Sequence, residues 1–185
     1  DEKAMCNTLT AAKDVDGISL ASLAAVFTDA PDGFPPCTAA ACVAILEHYK
    51  VPIAGKHVVV IGRSLVVGKP VSMMLLRRNA SVTICHSRTE NLQEISRSAD
   101  IVICATGRAR AYGREYFRPG QTVLDVGINF DVHGKLCGDV DFDEVEPIVD
   151  AITPVPGGVG TVTTSMTMQH TVAAAEAQLK ESLKG

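Results

Sequence analysis

The sequence has no tryptophan, three tyrosines and five phenylalanines, so aromatics make up only 4% of its 185 residues. The core must therefore be built from Val, Ile, Leu, Ala and Met. Positive charge is not in excess: 17 Lys and Arg stand against 21 Asp and Glu, a formal charge of −4. That balance argues against a nucleic-acid partner, which calls for a basic face. No apolar run approaches the length of a membrane span, so no membrane partner is expected. The start at Asp1 carries no basic or apolar leader, and a cytoplasmic location is expected. The six cysteines include no C-x-x-C pair, so neither a metal site nor a redox motif is expected. Cys85 and Cys104 end apolar runs, where a free thiol behaves as a small hydrophobe. A hydrophobic fraction of 46% with 21% charged residues excludes a disordered chain. The length allows one or two domains.

The middle of the chain alternates strand and helix signals. His57–Ile61 (HVVVI), Ser81–Cys85 (SVTIC), Asp100–Cys104 (DIVIC) and Thr122–Val126 (TVLDV) read as strands. Between them, Val67, Val71, Met74 and Leu75 repeat at helical spacing, and Asn91–Arg97 forms a short helix. Continuous apolar strands separated by helices predict an α/β fold with a doubly wound, Rossmann-like parallel sheet. Upstream, Thr38–Tyr49 reads as a helix with Cys42, Ile45, Leu46 and Tyr49 on one stripe and Thr38 as its cap. Downstream, Thr161–Leu183 reads as a long helix with Met168, Val172, Ala175, Leu179 and Leu183 on one face. No strand follows it, so that face needs a surface to cover.

The first strand runs into Gly62-Arg63-Ser64-Leu65-Val66-Val67-Gly68-Lys69-Pro70. A glycine directly after a strand permits a tight turn, and the following helix can aim N–H groups at a phosphate. The loop is not G-x-G-x-x-G. Ser64 stands near the middle glycine's place with a hydroxyl that can donate. NAD sites place a carboxylate after the second strand, roughly 20 residues beyond the glycines. Here His86-Ser87-Arg88-Thr89 holds none. Hydroxyls and guanidinium groups (Ser87, Arg88, and Arg63 from the first loop) suit a 2′-phosphate, because arginine binds phosphate through paired, charge-assisted bonds. NADP is therefore the expected cofactor. Thr106 and Gly107 end the third strand and Gly127-Ile128-Asn129 the fourth, in the crevice where such sheets bind ligands.

These stretches carry a resemblance. IGRSLVVGKP (61–70), CHSRT (85–89), DVGIN (125–129), GDVDF (138–142) and TPVPGGVG (153–160), with KDVDG (13–17) and PCT (36–38), occur in an order that resembles the bifunctional methylenetetrahydrofolate dehydrogenase/methenyltetrahydrofolate cyclohydrolase family. The resemblance implies NADP-dependent oxidation of 5,10-methylenetetrahydrofolate, followed by hydrolysis of the methenyl product to 10-formyltetrahydrofolate. It implies that Gly62, Arg63, Ser64, Val67 and Gly68 form the cofactor loop and that Ser87 and Arg88 meet the adenosine end. Thr106, Gly107 and the Ile128 backbone would lie along the same cofactor. Asp16 would bind the pterin, a task that suits a carboxylate because it accepts two parallel N–H bonds. Pro156, Gly157 and Gly158 would complete the folate cleft. A homodimer through the NADP domain is a further implication.

The chain departs from the family pattern in three places. Thr161-Val162-Thr163 replaces the usual Pro-Met-Thr, with Thr161 expected to cap the last helix. Ala39-Ala40-Ala41 follows PCT where the family has a proline and a later glycine. The family's catalytic Lys and Tyr, in a Y-x-x-x-K motif, are absent: Tyr49, Tyr112 and Tyr116 begin no such motif. No catalytic residue is therefore expected here. The chain reads as the carboxyl-terminal part of such an enzyme, with Asp1 a cut end. Residues 1–37 would be a remnant of the folate-binding catalytic domain, 38–160 the NADP-binding domain, and 161–185 a helix returning to the catalytic domain. A non-catalytic NADP-binding module and another NADP dehydrogenase, of the shikimate type, are the alternatives.

Overall fold

A computed structural model describes residues 5–6 and 8–183. The reading of Asp1 as a cut end lies outside them. Two helices, α1 (Leu20–Thr28) and α2 (Cys37–His48), precede a regular alternation: β1 (His57–Ile61), α3 (Gly68–Leu76), β2 (Ser81–Cys85), α4 (Leu92–Ser98), β3 (Ile101–Cys104) and β4 (Thr122–Asp125). A hairpin of β5 (Asn129–Phe130) and β6 (Leu136–Cys137), a short α5 (Phe142–Val145), β7 (Ala151–Ile152) and the long α6 (Val159–Ser182) complete the chain.

The main sheet is parallel throughout, in the order β2-β1-β3-β4-β7. The chain winds outward from β1 in both directions, so the order reverses between β1 and β3. This is the doubly wound α/β fold expected from the apolar runs, and ligand crevices form at that reversal. Strand side chains alternate between faces. Val58, Val60, Ile101, Ile103 and Leu124 pack with Ala39, Cys42, Val43 and Leu46 of α2, Val71 and Leu75 of α3 and Val159 of α6. Val59, Ile61, Val102, Cys104 and Val123 pack on the other side with Tyr112, Phe117 and Val145. Each fully buried Val or Leu contributes roughly 1.5–3 kcal/mol, and the two layers hold the strand ends in register.

All six cysteines are free thiols and all but Cys6 are buried. Burial pushes the Cys42 thiol up to about 12, so it packs as an apolar group. No helix among the described residues is long and apolar enough to cross a membrane.

Three local expectations are corrected. Helix α2 begins at Cys37 after Pro36 and has no side-chain cap, so Thr38 does not cap it; the fixed φ of Pro36 opens the helix instead. Tyr49 leaves the stripe of Cys42, Ile45 and Leu46, being 73% exposed and set edge-on to His48 at 5.0 Å. Helix α6 starts at Val159, so Thr161 sits inside its first turn with its N–H on the Gly158 carbonyl at 3.1 Å. Met168, Val172, Leu179 and Leu183 do share a face, and it points outward, each being 58–78% exposed. The inward stripe of α6 is Val159, Val162, Met166, His170 and Ala174, of which the first three join the core beside α2.

Candidate functional site

The loop after β1 is shaped by two glycines. Gly62 has φ +136°, and a Cβ there would strike the Ala105 carbonyl at the end of β3; a Cβ on Gly68 would strike the carbonyl of Gly62. Backbone therefore meets backbone where β1, β3 and the start of α3 converge, leaving a crevice that side chains would otherwise fill. The Ser64 hydroxyl oxygen accepts the N–H groups of Val67 at 3.0 Å and Gly68 at 3.4 Å, and the Ser64 carbonyl accepts that of Lys69 at 3.0 Å.

This changes the expected role of the helix start. The first donors of α3 are closed by Ser64 rather than aimed at a ligand. The N–H groups of Arg63, Ser64, Leu65 and Val66 have no partner among the described residues, so the open donors lie one turn earlier. The Ser64 hydroxyl still has its own proton to donate. Replacing Ser64 by Ala should cost about 1 kcal/mol, as capping losses do. A melting curve should then shift downward by roughly 2–4 °C; an unchanged Tm would show that the cap carries no stability.

At the end of β2 a closed turn presents two exposed side chains. Thr89 Oγ1 accepts the His86 N–H at 2.8 Å and His86 Nδ1 accepts the Arg88 N–H at 3.2 Å. Ser87 and Arg88 face outward. Among the described residues neither Arg88 nor Arg63 has an acidic partner, whereas Lys56, Arg77, Arg78 and Arg110 do. The turn thus presents an exposed hydroxyl and an exposed guanidinium, unpaired among the described residues, with no carboxylate before Glu90.

Thr106 and Gly107 are less available than the sequence implied. Both Thr106 donors, N–H at 2.5 Å and Oγ1 at 2.9 Å, and the Gly107 N–H at 3.1 Å go to Asp139 Oδ2. They support the crevice wall rather than offering donors to it. Ile128 fits its expected role better, its side chain 67% exposed and its N–H without a partner among the described residues. Beside it opens a cleft of about 500 Å³ lined by Gly127, Ile128, Pro156, Gly157, Gly158 and Thr161, with Thr164 and Met168 of α6. The structure therefore brings the fourth strand end and the PGG segment together.

Asp16 is not among the residues that line that cleft. It is exposed and lies, with Thr167 of α6, against the buried Cys37 thiol. Its loop is held by a neighbour, Asp14, which is 2% exposed. The Asp14 carboxylate accepts the N–H groups of Ile18 at 3.1 Å and Ser19 at 2.8 Å and the Ser22 hydroxyl at 2.7 Å. Burial raises the Asp14 pKa, but the bonds from Ser19, Ser22 and Ile18 outweigh it and hold the group below its ordinary value. His170 secures the same loop from α6, with Nδ1 2.9 Å from the Val15 carbonyl and 3.4 Å from the Cys37 sulfur.

Asp14, Asp125, Asp139 and His170 are the residues that reading the sequence did not assign. Asp125 and Asp139 lay in plain view within DVGIN and GDVDF. Nothing in their spacing shows that one accepts bonds from the segment carrying the other. Among the described residues no group of three or more His, Cys, Asp or Glu side chains could hold a metal ion.

The arrangement has close relatives. Residues 36–179 match the family model described as tetrahydrofolate dehydrogenase/cyclohydrolase, NAD(P)-binding domain. The bifunctional protein FolD of Carboxydothermus hydrogenoformans is 56% identical over 178 residues, covering 95% of this chain and 62% of that protein. The crystal structure of the bifunctional FolD enzyme from Campylobacter jejuni superposes with a TM-score of 0.93 at 37% identity, over 96% of this chain and 63% of that one. FolD of Trypanosoma brucei, solved with NADP cofactor and inhibitor, superposes with a TM-score of 0.90 at 35% identity, over 97% of this chain and 63% of that one. The chain thus spans less than two thirds of the length of these relatives. With its doubly wound sheet, its glycine-shaped loop and these matches, the chain belongs to the tetrahydrofolate dehydrogenase/cyclohydrolase family and carries its NAD(P)-binding domain.

Proposed function

We propose that this domain binds NADP in the service of two folate reactions: oxidation of 5,10-methylenetetrahydrofolate to the methenyl form and hydrolysis of that product to 10-formyltetrahydrofolate. The observation that carries the cofactor choice is the end of β2, where Ser87 and Arg88 are exposed with no carboxylate before Glu90, while Arg63, also exposed, follows the end of the neighbouring strand β1. Unpartnered N–H groups from Arg63 to Val66 would hold the pyrophosphate, and the guanidinium groups the 2′-phosphate. When bound, the nicotinamide supplies a hydride acceptor. The chain's own residues orient it: Ile128 offers its N–H and Pro156–Gly158 close the cleft on the folate side. Asp16 would accept two N–H bonds from the pterin edge.

In the same reading, residues 1–37 belong with the folate-binding domain, the outward face of α6 within 161–185 packs on that domain, and two copies pair through residues 38–160 in the cytoplasm. The second reading, a module that binds NADP without chemistry, is favoured by one fact: these 185 residues contain no Y-x-x-x-K motif. Proton transfer at the folate ring or the attacking water needs a positioned acid or base, and Lys69, on the cofactor helix, is not placed for it.

The test is a melting experiment. A ligand at a hundredfold excess over its Kd stabilises the folded state by about 2.7 kcal/mol, several degrees of Tm for a chain of this size. NADP should raise Tm well above the value with equal NAD, and Arg63→Ala should narrow the gap. Equal shifts in the unaltered protein would overturn the 2′-phosphate assignment.

A further inference from the structure

Asp139 is fully buried and faces five donors. Oδ2 accepts the Thr106 N–H, the Thr106 hydroxyl and the Gly107 N–H; Oδ1 accepts the Arg108 N–H at 2.8 Å and Asn129 Nδ2 at 2.9 Å. None of these donors is a cation. A carboxylate has about four acceptor positions, so this one is saturated by neutral groups. Only a carboxylate can accept on both sides, because an amide would turn an NH₂ toward a donor.

The placement of the donors matters more than their number. Thr106, Gly107 and Arg108 form the loop after β3, and Asn129 follows Ile128 after β4. Asp139 therefore ties together the two strand ends on one side of the point where the sheet order reverses. β2, with Ser87 and Arg88 after it, lies on the other side of β1. A dinucleotide laid across the reversal has one nucleoside on each side. The 2′-phosphate chemistry puts adenosine at β2, and that leaves the nicotinamide between the β3 and β4 ends. The Asp139 N–H is itself held by Asp125 Oδ1 at 2.9 Å, so the clamp is anchored to β4.

We propose that Asp139 is a positioning residue for the nicotinamide half of the cofactor, holding residues 106–108 and, through Asn129, the Ile128 backbone at the separation the ring requires. The inference rests on the NADP reading above.

Dissociation constants for NADP and for adenosine 2′,5′-bisphosphate, which carries only the adenosine end, separate this role from a general structural one. They are measured by calorimetry at a temperature where circular dichroism shows each variant folded. In Asp139→Asn, NADP affinity should fall about tenfold, the equivalent of one lost or strained bond pair, while the bisphosphate changes by less than about twofold. Asn129→Ala removes one link alone and should show the same asymmetry at about threefold; it decides the question if Asp139→Asn does not fold. Equal losses for both ligands, or no loss of NADP affinity in a folded variant, would overturn the proposal. If the unaltered protein binds neither ligand, the cofactor reading fails instead.

Discussion

Replacing Gly62 by alanine is expected to abolish dinucleotide binding and to destabilise the domain by roughly 2–6 kcal/mol. Two costs combine. Gly62 sits at φ +136°, a conformation that costs an L-residue about 1–3 kcal/mol. Its new Cβ would also meet a carbonyl, that of Ala105, and backbone does not swing aside as a side-chain end does, so roughly 1–3 kcal/mol of overpacking is added. Relief requires β1 and β3 to separate at the crevice where the loop donors converge. Gly134→Ala is the control: it also has positive φ, +75°, but open space around the position where its Cβ would lie. It should lose only about 1–2 kcal/mol. Urea unfolding of the two variants checks this, and similar losses in both would mean that close approach at Gly62 is unimportant.

Replacing Asp125 by asparagine is expected to remove about 2–4 kcal/mol and to change how stability depends on pH. The Asp125 side chain is 3% exposed and accepts the N–H groups of Gly127 at 3.0 Å, Asp139 at 2.9 Å and Val140 at 2.9 Å. An amide must point its NH₂ at one or more of these, and a stranded buried donor costs about 1–3 kcal/mol. Burial, partly offset by those bonds, pushes the Asp125 carboxyl up from 3.8 to about 6. The folded state therefore binds more protons than the unfolded state between those values. This group's contribution is fully present below 3.8 and is lost as pH rises to about 6, at about 1.4 kcal/mol per unit, or roughly 3 kcal/mol in all. Asp14, held below its ordinary value, works in the opposite sense but is common to both proteins and cancels. The stability difference between parent and Asp125→Asn, measured by urea unfolding from pH 3.5 to 7, should shrink across that window. A difference independent of pH would show that Asp125 titrates alike in both states.

Both predictions concern residues whose roles differ in how visible they were. Gly62 announces itself, because a glycine after an apolar β-branched run can hardly be anything but a turn. Asp125 and Asp139 were visible as letters and silent as chemistry. Apart from Gly127, two positions from Asp125, their donors lie 10–15 and 31–33 positions away, and no local pattern encodes those pairings. Ser64 shows an intermediate case. Its hydroxyl stood out in the sequence as a donor to phosphate, and only the turn geometry shows that the oxygen is already occupied by the start of α3.

The elements divide the same way. His57–Ile61 and Ser81–Cys85 match the expected strands residue for residue, and β3 and β4 each run one residue shorter than expected. A buried parallel strand such as β1 leaves an uninterrupted apolar run, which its shortness, its β-branched residues and the glycine that stops it set apart from a helix segment. The strands β5, β6 and β7, at two residues each, are too short to show a period. For α6 the periodicity was real but ambiguous. Alanine, methionine, threonine and valine line several of its faces, so hydropathy cannot say which one turns inward.

Composition, alternation and the ordered motifs were enough to establish the class of fold and the family, because each depends on residues adjacent in the chain. The inward face of α6, the self-capping of α3 and the retreat of Thr106 and Gly107 toward Asp139 came from packing alone. These depend on which distant segments lie opposite one another. A hydrogen-bond donor has no destination until the fold supplies its acceptor.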